Sequence, residues 1–227
     1  SKSANTFDNL IHEFPDSEFA LEVLARQADG YFLMKNYSKA ADTYRRAKNR
    51  APKTDEGQYC AYQLFHALYY MKSYNKAITS SLDFVREYPR SPYAPKAMYL
   101  VGWIRFLQNK YHQAIDNFKF LIKAYSQSGL VARAHYAIGD SYYNMGDYEK
   151  AIEAYKTVWE NYSSSDLAPE AMKSMQQCLL ILGREDEAMA LAENVIETNP
   201  SSPFARDLAW GRTEIFYSGG NYENAID

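Results

Sequence analysis

A chain of 227 residues that is 47% hydrophobic and 23% charged has the balance of a folded protein in contact with water. Its formal charge of −3 gives no broad attraction to phosphate backbones or anionic lipid, so nucleic acid is not an expected partner. No run of about 18 apolar residues occurs, so no membrane span is expected.

The elements announce themselves by recurrence. Tyr37 opens the phrase YSKAA, and related phrases open at Tyr74, Tyr111, Tyr148, Glu185 and Tyr222, each 37 residues after the last. An unbroken period of that size predicts a solenoid of repeated supersecondary units, each burying its apolar face against its neighbours.

Taken in chain order, residues 1–14 read as the second helix of a repeat whose first helix is absent. Units follow near 17–51, 54–88, 91–125, 128–162 and 165–199, and 202–227 begins a further one. The chain is thus expected to be a piece of a longer protein. Each unit opens on a hydroxyl residue (Ser17, Thr54, Ser91, Ser128, Ser165, Ser202) before an apolar-periodic run, which predicts helix N-caps. Pro92, Pro95, Pro169 and Pro203 fall in first turns, where a missing N–H is harmless.

The first helix of each unit, helix A, is predicted to run about 17 residues and to end near Lys35, Lys72, Asn109, Gly146, Gly183 or Gly220; Gly and Asn there suit a left-handed cap. The second, helix B, starts within two residues. It stops at or before Pro15, Pro52, Pro89 and Pro200, with Ser126 and Ser163 in the other units. Spacing of about 3.6 in both helices, as in Ala151, Ile152, Tyr155, Val158 and Trp159, and the lack of strand alternation give an all-α fold. The expected architecture is a right-handed superhelical solenoid of antiparallel helix pairs.

Cys60 and Cys178 occupy apolar helical positions and read as small buried hydrophobes. His12, His66, His112 and His135 lie in four different helices with no i, i+4 pair, so no metal site is expected. No G-x-G-x-x-G, phosphate-binding loop, H-E-x-x-H or G-x-S-x-G occurs; neither a cofactor nor enzymatic activity is expected. Glu185-Asp186-Glu187 opens a helix B, where negative charge suits the helix dipole.

At this point the chain resembles the tetratricopeptide repeat family. Its pattern W-x2-L-G-x2-Y, A-x3-F, P is met by His135, Ile138, Gly139, Tyr142, Ala151, Tyr155 and Ser163. A second match runs Met98, Val101, Gly102, Arg105, Ala114, Phe118 and Ser126. The small residue between helices is Ala40, Ala77, Ala114, Ala151, Ala188 and Ala225. The period exceeds the family's usual 34 or so, and Phe65, Gln176 and Thr213 replace the glycine, which predicts less regular packing in those units. The phrase Tyr88-Pro89-Arg90-Ser91-Pro92-Tyr93-Ala94 resembles the subgroup in bacterial envelope proteins, such as outer-membrane assembly lipoproteins and Tol-Pal accessory proteins. That implies a periplasmic or outer-membrane-associated place, with the cytoplasm as alternative.

The resemblance also implies a concave groove, lined by the A helices, that takes a peptide or partner subunit. Its positions fall on Tyr59, Tyr62, His66, Tyr69 and Tyr70; on Lys96, Tyr99, Trp103, Phe106 and Leu107; and on Arg133, Tyr136, Asp140, Tyr143 and Asn144. Helical periodicity puts each set on one stripe, distinct from the packing stripe of Cys60, Leu64, Leu68 and Met71 or Ala97, Val101 and Ile104. Such a stripe is either core or an interface of the kind Tyr and Trp favour. Lys96 and Arg133 are either solvated charges or contacts for a carboxylate on a ligand. The Lys/Asn two-unit clamp of chaperone-tail binders is absent from adjacent A helices. The expected function is a protein-interaction scaffold. The alternatives are a self-assembly or inter-domain module, associating through open repeat ends, and the accessory part of an enzyme whose catalytic domain lies elsewhere.

Overall fold

The computed structural model describes residues 19–198. Within them lie ten helices: α1 Ala20–Leu33, α2 Tyr37–Arg50, α3 Asp55–Tyr70, α4 Tyr74–Glu87, α5 Ala94–Leu107, α6 Tyr111–Ala124, α7 Val131–Asn144, α8 Tyr148–Asn161, α9 Ala168–Ile181 and α10 Glu185–Thr198. No strand occurs among the described residues. Odd-numbered helices are the A helices and even-numbered ones the B helices, so the all-α helical-repeat fold is as expected. Residues 1–14 and 202–227, with Ser17, Ser202, Gly220 and Ala225, lie outside the described residues. The chain divides into two compact units, Ser1–Leu130 with α1 to α6 and Val131–Asp227 with α7 to α10.

All five described A-to-B turns are built the same way. Lys35, Lys72 and Asn109 have φ of 57–58°, and Gly146 and Gly183 have φ of 78° and 71°. At the first turn the Lys35 N–H donates to the Phe32 carbonyl and the Asn36 N–H to the Tyr31 carbonyl, both at 2.9 Å. The same pair of bonds recurs at each of the other four turns, closing the open carbonyls of the helix end. The left-handed residue is therefore required by the turn and not by glycine, and Lys35 and Lys72 adopt it despite their Cβ atoms. The A helices are shorter than the 17 residues expected, because this cap sits two residues beyond their last helical residue and all but α3 also begin later than expected.

The helix starts differ from expectation in a more informative way. Among the described hydroxyl positions only Thr54 is an N-cap, its hydroxyl accepting the Gly57 N–H at 3.1 Å. Ser91, Ser128 and Ser165 stand three residues ahead of their helices and accept from the N–H two residues on: Tyr93 at 3.4 Å, Leu130 at 3.2 Å and Leu167 at 3.3 Å. The Ser91 and Ser165 carbonyls take the N–H of Ala94 and Ala168, each at 3.0 Å. A hydroxyl-closed turn thus precedes each of these helices. Pro95 and Pro169 then occupy the first turn without loss of a bond.

One crossing sets the geometry of every pair. The helix-B alanines Ala40, Ala77, Ala114, Ala151 and Ala188 are all 0% exposed. One turn later a large ring enters opposite a small residue of helix A. A Cβ on Gly102 would meet the Phe118 ring at 2.6 Å, and one on Gly139 the Tyr155 ring at 2.5 Å. At the same register the first pair has Ala28 with Tyr44, both fully buried. In α3 and α4 the order reverses. Phe65 stands in the A helix and Ser81 in the B helix, both 0% exposed, and the Phe65 ring turns edge-on to Phe84 at 5.8 Å. In α9 and α10 the pair is Gln176 with buried Ala192, and the Gln176 amide donates to the Ala188 carbonyl at 3.3 Å. The exchange of large for small across the crossing compensates for the lost glycine.

Two stability tests follow. Lys72→Gly should raise stability by about 1 kcal/mol by relieving the left-handed strain, and Gly146→Ala should lower it by a similar amount; urea denaturation reads both. Phe65→Gly should cost about 3–5 kcal/mol, and Ser81→Phe should destabilise by overpacking. If the crossing tolerates either order, combining the two should recover much of the loss, visible as a favourable coupling in a double-mutant cycle.

Candidate functional site

The site is described unit by unit. In the first, α3 presents Tyr59, Tyr62, His66 and Tyr69, and α5 presents Lys96, Tyr99 and Trp103. In the second, α7 presents Arg133, Tyr136, Asp140 and Tyr143. None of these side chains belongs to the buried core: the tyrosines, His66, Trp103 and Asp140 are half-buried, and Lys96 and Arg133 are exposed. The neighbouring stripe packs instead, with Cys60, Ala97, Val101 and Ile104 at 0% exposure, except that Met71, expected with them, lies beyond the end of α3 and is 38% exposed. Burial also pushes the Cys60 thiol up to about 12 and that of Cys178 to about 11, so both are inert apolar residues at neutral pH.

Rungs of hydrogen bonds tie this stripe together. The Trp103 indole of α5 donates to the Tyr69 hydroxyl of α3 at 3.1 Å. In the second unit the Gln177 amide of α9 donates to the Tyr143 hydroxyl of α7, also at 3.1 Å. These two bonds occupy the same pair of repeat positions. The Tyr136 hydroxyl meets that of Ser174 at 3.1 Å. Between α1, α2 and α3, Asp29 accepts from Tyr44 at 2.5 Å and from Tyr59 at 2.9 Å, and Gln63 donates to Tyr59 at 3.0 Å. Burial and the Asp29 carboxylate together push the Tyr59 phenol up to about 12.

Asp140 occupies the register of Asp29 and has the same partner type, accepting from Tyr155 at 2.8 Å. Burial raises its pKa and the Tyr155 hydroxyl offsets part of that rise. The expectation of Asp140 as a groove contact is narrowed accordingly: one carboxylate oxygen holds the buried tyrosine that fills the helix crossing. Where the B-helix ring is Phe118, its A-helix counterpart is Trp103, which has no such duty.

A second gathering lies between α3, α5 and the turn before α5. Tyr62 and Tyr93 stack with ring centroids 4.6 Å apart and planes 22° off parallel. Lys96 Nζ lies 5.5 Å from the Tyr62 centroid and 5.6 Å from that of Tyr93. His66 meets Tyr62 edge-on at 4.6 Å, and its Nε2 is buried with no hydrogen-bond partner among the described residues. Tyr93 was not among the expected residues because it precedes the helix; its signal is the phrase Pro92-Tyr93-Ala94. Tyr99 packs on Phe118 at 5.4 Å and Trp103 stacks on Phe106 at 5.4 Å. Arg133 makes no ion pair among the described residues, and no group of three His, Cys, Asp or Glu there could hold a metal ion.

Burial, with a smaller contribution from the Lys96 charge, lowers the His66 pKa from 6.5 to about 4. The unfolded chain then takes up a proton near pH 6.5 while the folded chain does not until about pH 4. Stability from neutral His66 is thus fully present above 6.5 and is lost as pH falls towards 4. His66→Gln should flatten that part of the urea-midpoint profile between pH 7 and 4; a profile of unchanged slope would place the titration elsewhere.

Family models described as tetratricopeptide repeat match residues 22–54, 96–128 and 132–158, so the chain carries tetratricopeptide repeats over these stretches. Comparison with curated proteins gives no match. Among solved structures, MamA protein is similar at TM-score 0.62 and 22% identity, covering 80% of this chain and 92% of its own. The apo form of RapI reaches TM-score 0.73 at 13% identity, with 98% and 78% covered. A tetratricopeptide repeat protein from Parabacteroides merdae gives TM-score 0.60 at 14% identity, with 98% and 81% covered. At these identities the likeness is one of fold.

Proposed function

We propose that the chain is a protein-interaction scaffold that takes an extended peptide or a partner subunit on the aromatic stripes of its A helices. The observation that carries this reading is the division of labour within α3, α5 and α7: one stripe fills the core, and a second, half-buried one is rich in Tyr and Trp and fixed by its own rungs. Rings held in place before binding lose little rotamer freedom on contact, which favours affinity. Lys96 and Arg133, exposed beside these rings, suit a ligand carrying carboxylates. Scaffolding of this kind acts by binding and not by catalysis.

The envelope placement belongs to this proposal as well. It rests on the phrase Tyr88 to Ala94 and its echoes at 14–20 and 199–205, and fractionation of the native host tests it.

The groove is tested by selecting binders from a random peptide library on the intact chain and titrating the best by calorimetry. Tyr99→Ala with Trp103→Ala in the first unit, and Tyr136→Ala in the second, should each weaken binding by about tenfold or more, as expected of aromatic anchors. Helical circular dichroism should be largely retained. Loss of the helical signal instead would assign these rings to the core and remove the groove.

A further inference from the structure

A different surface, the row of A-to-B turns in the first unit, carries chemistry that the groove does not use. Each turn ends an A helix on large apolar side chains that point into solvent: Leu33 is 82% exposed, Met34 64%, Tyr70 50% and Leu107 42%. The segments 33–39, 70–76 and 107–113 also hold five lysines and no aspartate or glutamate. All five, Lys35, Lys39, Lys72, Lys76 and Lys110, are exposed, and none is ion-paired among the described residues.

The three turns form one continuous row. Tyr37 of the first stacks on Tyr70 at the second with centroids 5.1 Å apart and planes 17° off parallel. Between the second and third lies an open cleft lined by Lys72, Ser73, Tyr74, Asn75, Lys76 and Gln108. The α4 N-terminus opens into it, and Ser73 there makes no side-chain cap bond.

The second unit provides an internal contrast at the same repeat positions. Its turns 144–150 and 181–187 carry five acidic residues, and their basic ones are neutralised locally. Lys150 pairs with Asp147 at 2.5 Å, and Arg184 pairs with Glu149 at 2.9 Å and Glu187 at 2.6 Å. The basic row is therefore not a consequence of the turn geometry, which both units share.

We propose that this row docks on the surface of an anionic phospholipid bilayer, with the apolar tips entering the headgroup boundary and the lysines meeting lipid phosphates. Charge selects the occupant, because five lysines that form no ion pair among the described residues, in turn segments with no carboxylate, attract an anionic plane. Shape selects it too: the apolar groups protrude as tips instead of lining a groove, which suits a deformable boundary and offers an extended peptide no slot. The net charge of −3 does not oppose this, since contributions beyond a Debye length of about 8 Å are screened. The surface meets the groove stripe only at Tyr70 and Leu107; the lysines, Leu33 and Met34 lie outside that stripe, so each proposal stands or fails alone.

The test is cosedimentation of the intact chain with phosphatidylglycerol-rich and with pure phosphatidylcholine vesicles at low and high salt. Binding to the first should exceed binding to the second by at least about tenfold and weaken with salt. Joint replacement Lys39→Glu, Lys76→Glu and Lys110→Glu should remove at least about tenfold of it, and Leu33→Ser with Met34→Ser should weaken what persists at high salt. All these side chains are exposed, so helical circular dichroism should not change. Trp103→Ala should leave vesicle binding intact. Equal binding to both vesicle types, no binding to either, or binding indifferent to charge reversal would overturn the proposal. So would lysine-dependent capture of a polyglutamate peptide without vesicle binding, which would assign the row to an acidic protein segment.

Discussion

The structure depends on one steric constraint: where helix A crosses helix B there is room for one large side chain, a ring at four of the five described crossings and Gln176 at the fifth. Gly102 admits Phe118 and Gly139 admits Tyr155 at distances that no Cβ could share. Ala28 with Tyr44, and the reversed pair Phe65 with Ser81, satisfy the same volume from different sides. Close packing makes the sum of the two residues the conserved quantity within the chain, while the identity of either is free. The separation set by this crossing brings the next A helix near enough to exchange hydrogen bonds, so the rungs on the stripe follow from it.

The polar network shows how packing and site are joined. A buried tyrosine hydroxyl needs an acceptor, and at the crossings filled by Tyr44 and Tyr155 the acceptors are Asp29 and Asp140, at one repeat position. Where the crossing is filled by Phe118, that position is released and holds Trp103, which reaches across to Tyr69. Where the order is reversed by Phe65, it holds His66, with a buried nitrogen that has no partner among the described residues. The chemistry of the stripe at this column thus varies with the ring behind it.

The same backbone frame carries different surface chemistry in the two units. The five described left-handed turns of one design carry lysines that form no ion pair in the first unit, and acidic residues with locally paired cations in the second, while exposed apolar side chains occur in both, with Ile181 at 47% in the second. Repeat proteins allow this because a turn contributes little to burial, so its exposed residues are free to specialise.

The sequence by itself determined the period, the helix pairs, the turn positions and the separation of packing from aromatic stripes, because these are properties of spacing, and spacing is written along the chain. It also marked Ala40, Ala77, Ala114, Ala151 and Ala188 as contact points, and all are fully buried. Tertiary structure alone decided what depends on a partner in another helix. Ser91, Ser128 and Ser165 look like caps in sequence, yet the carbonyls and N–H groups they meet place them in turns ahead of the helices. Phe65 looks like a defect until Ser81 is seen at the matching position. Asp140 reads as a groove residue, and only the fold shows that one of its oxygens holds Tyr155; Tyr93 has no helical period to reveal that it stacks on Tyr62. Local preference is encoded residue by residue, whereas satisfaction of a volume or a hydrogen bond is a property of pairs distant in the chain, and only the folded structure brings those pairs together.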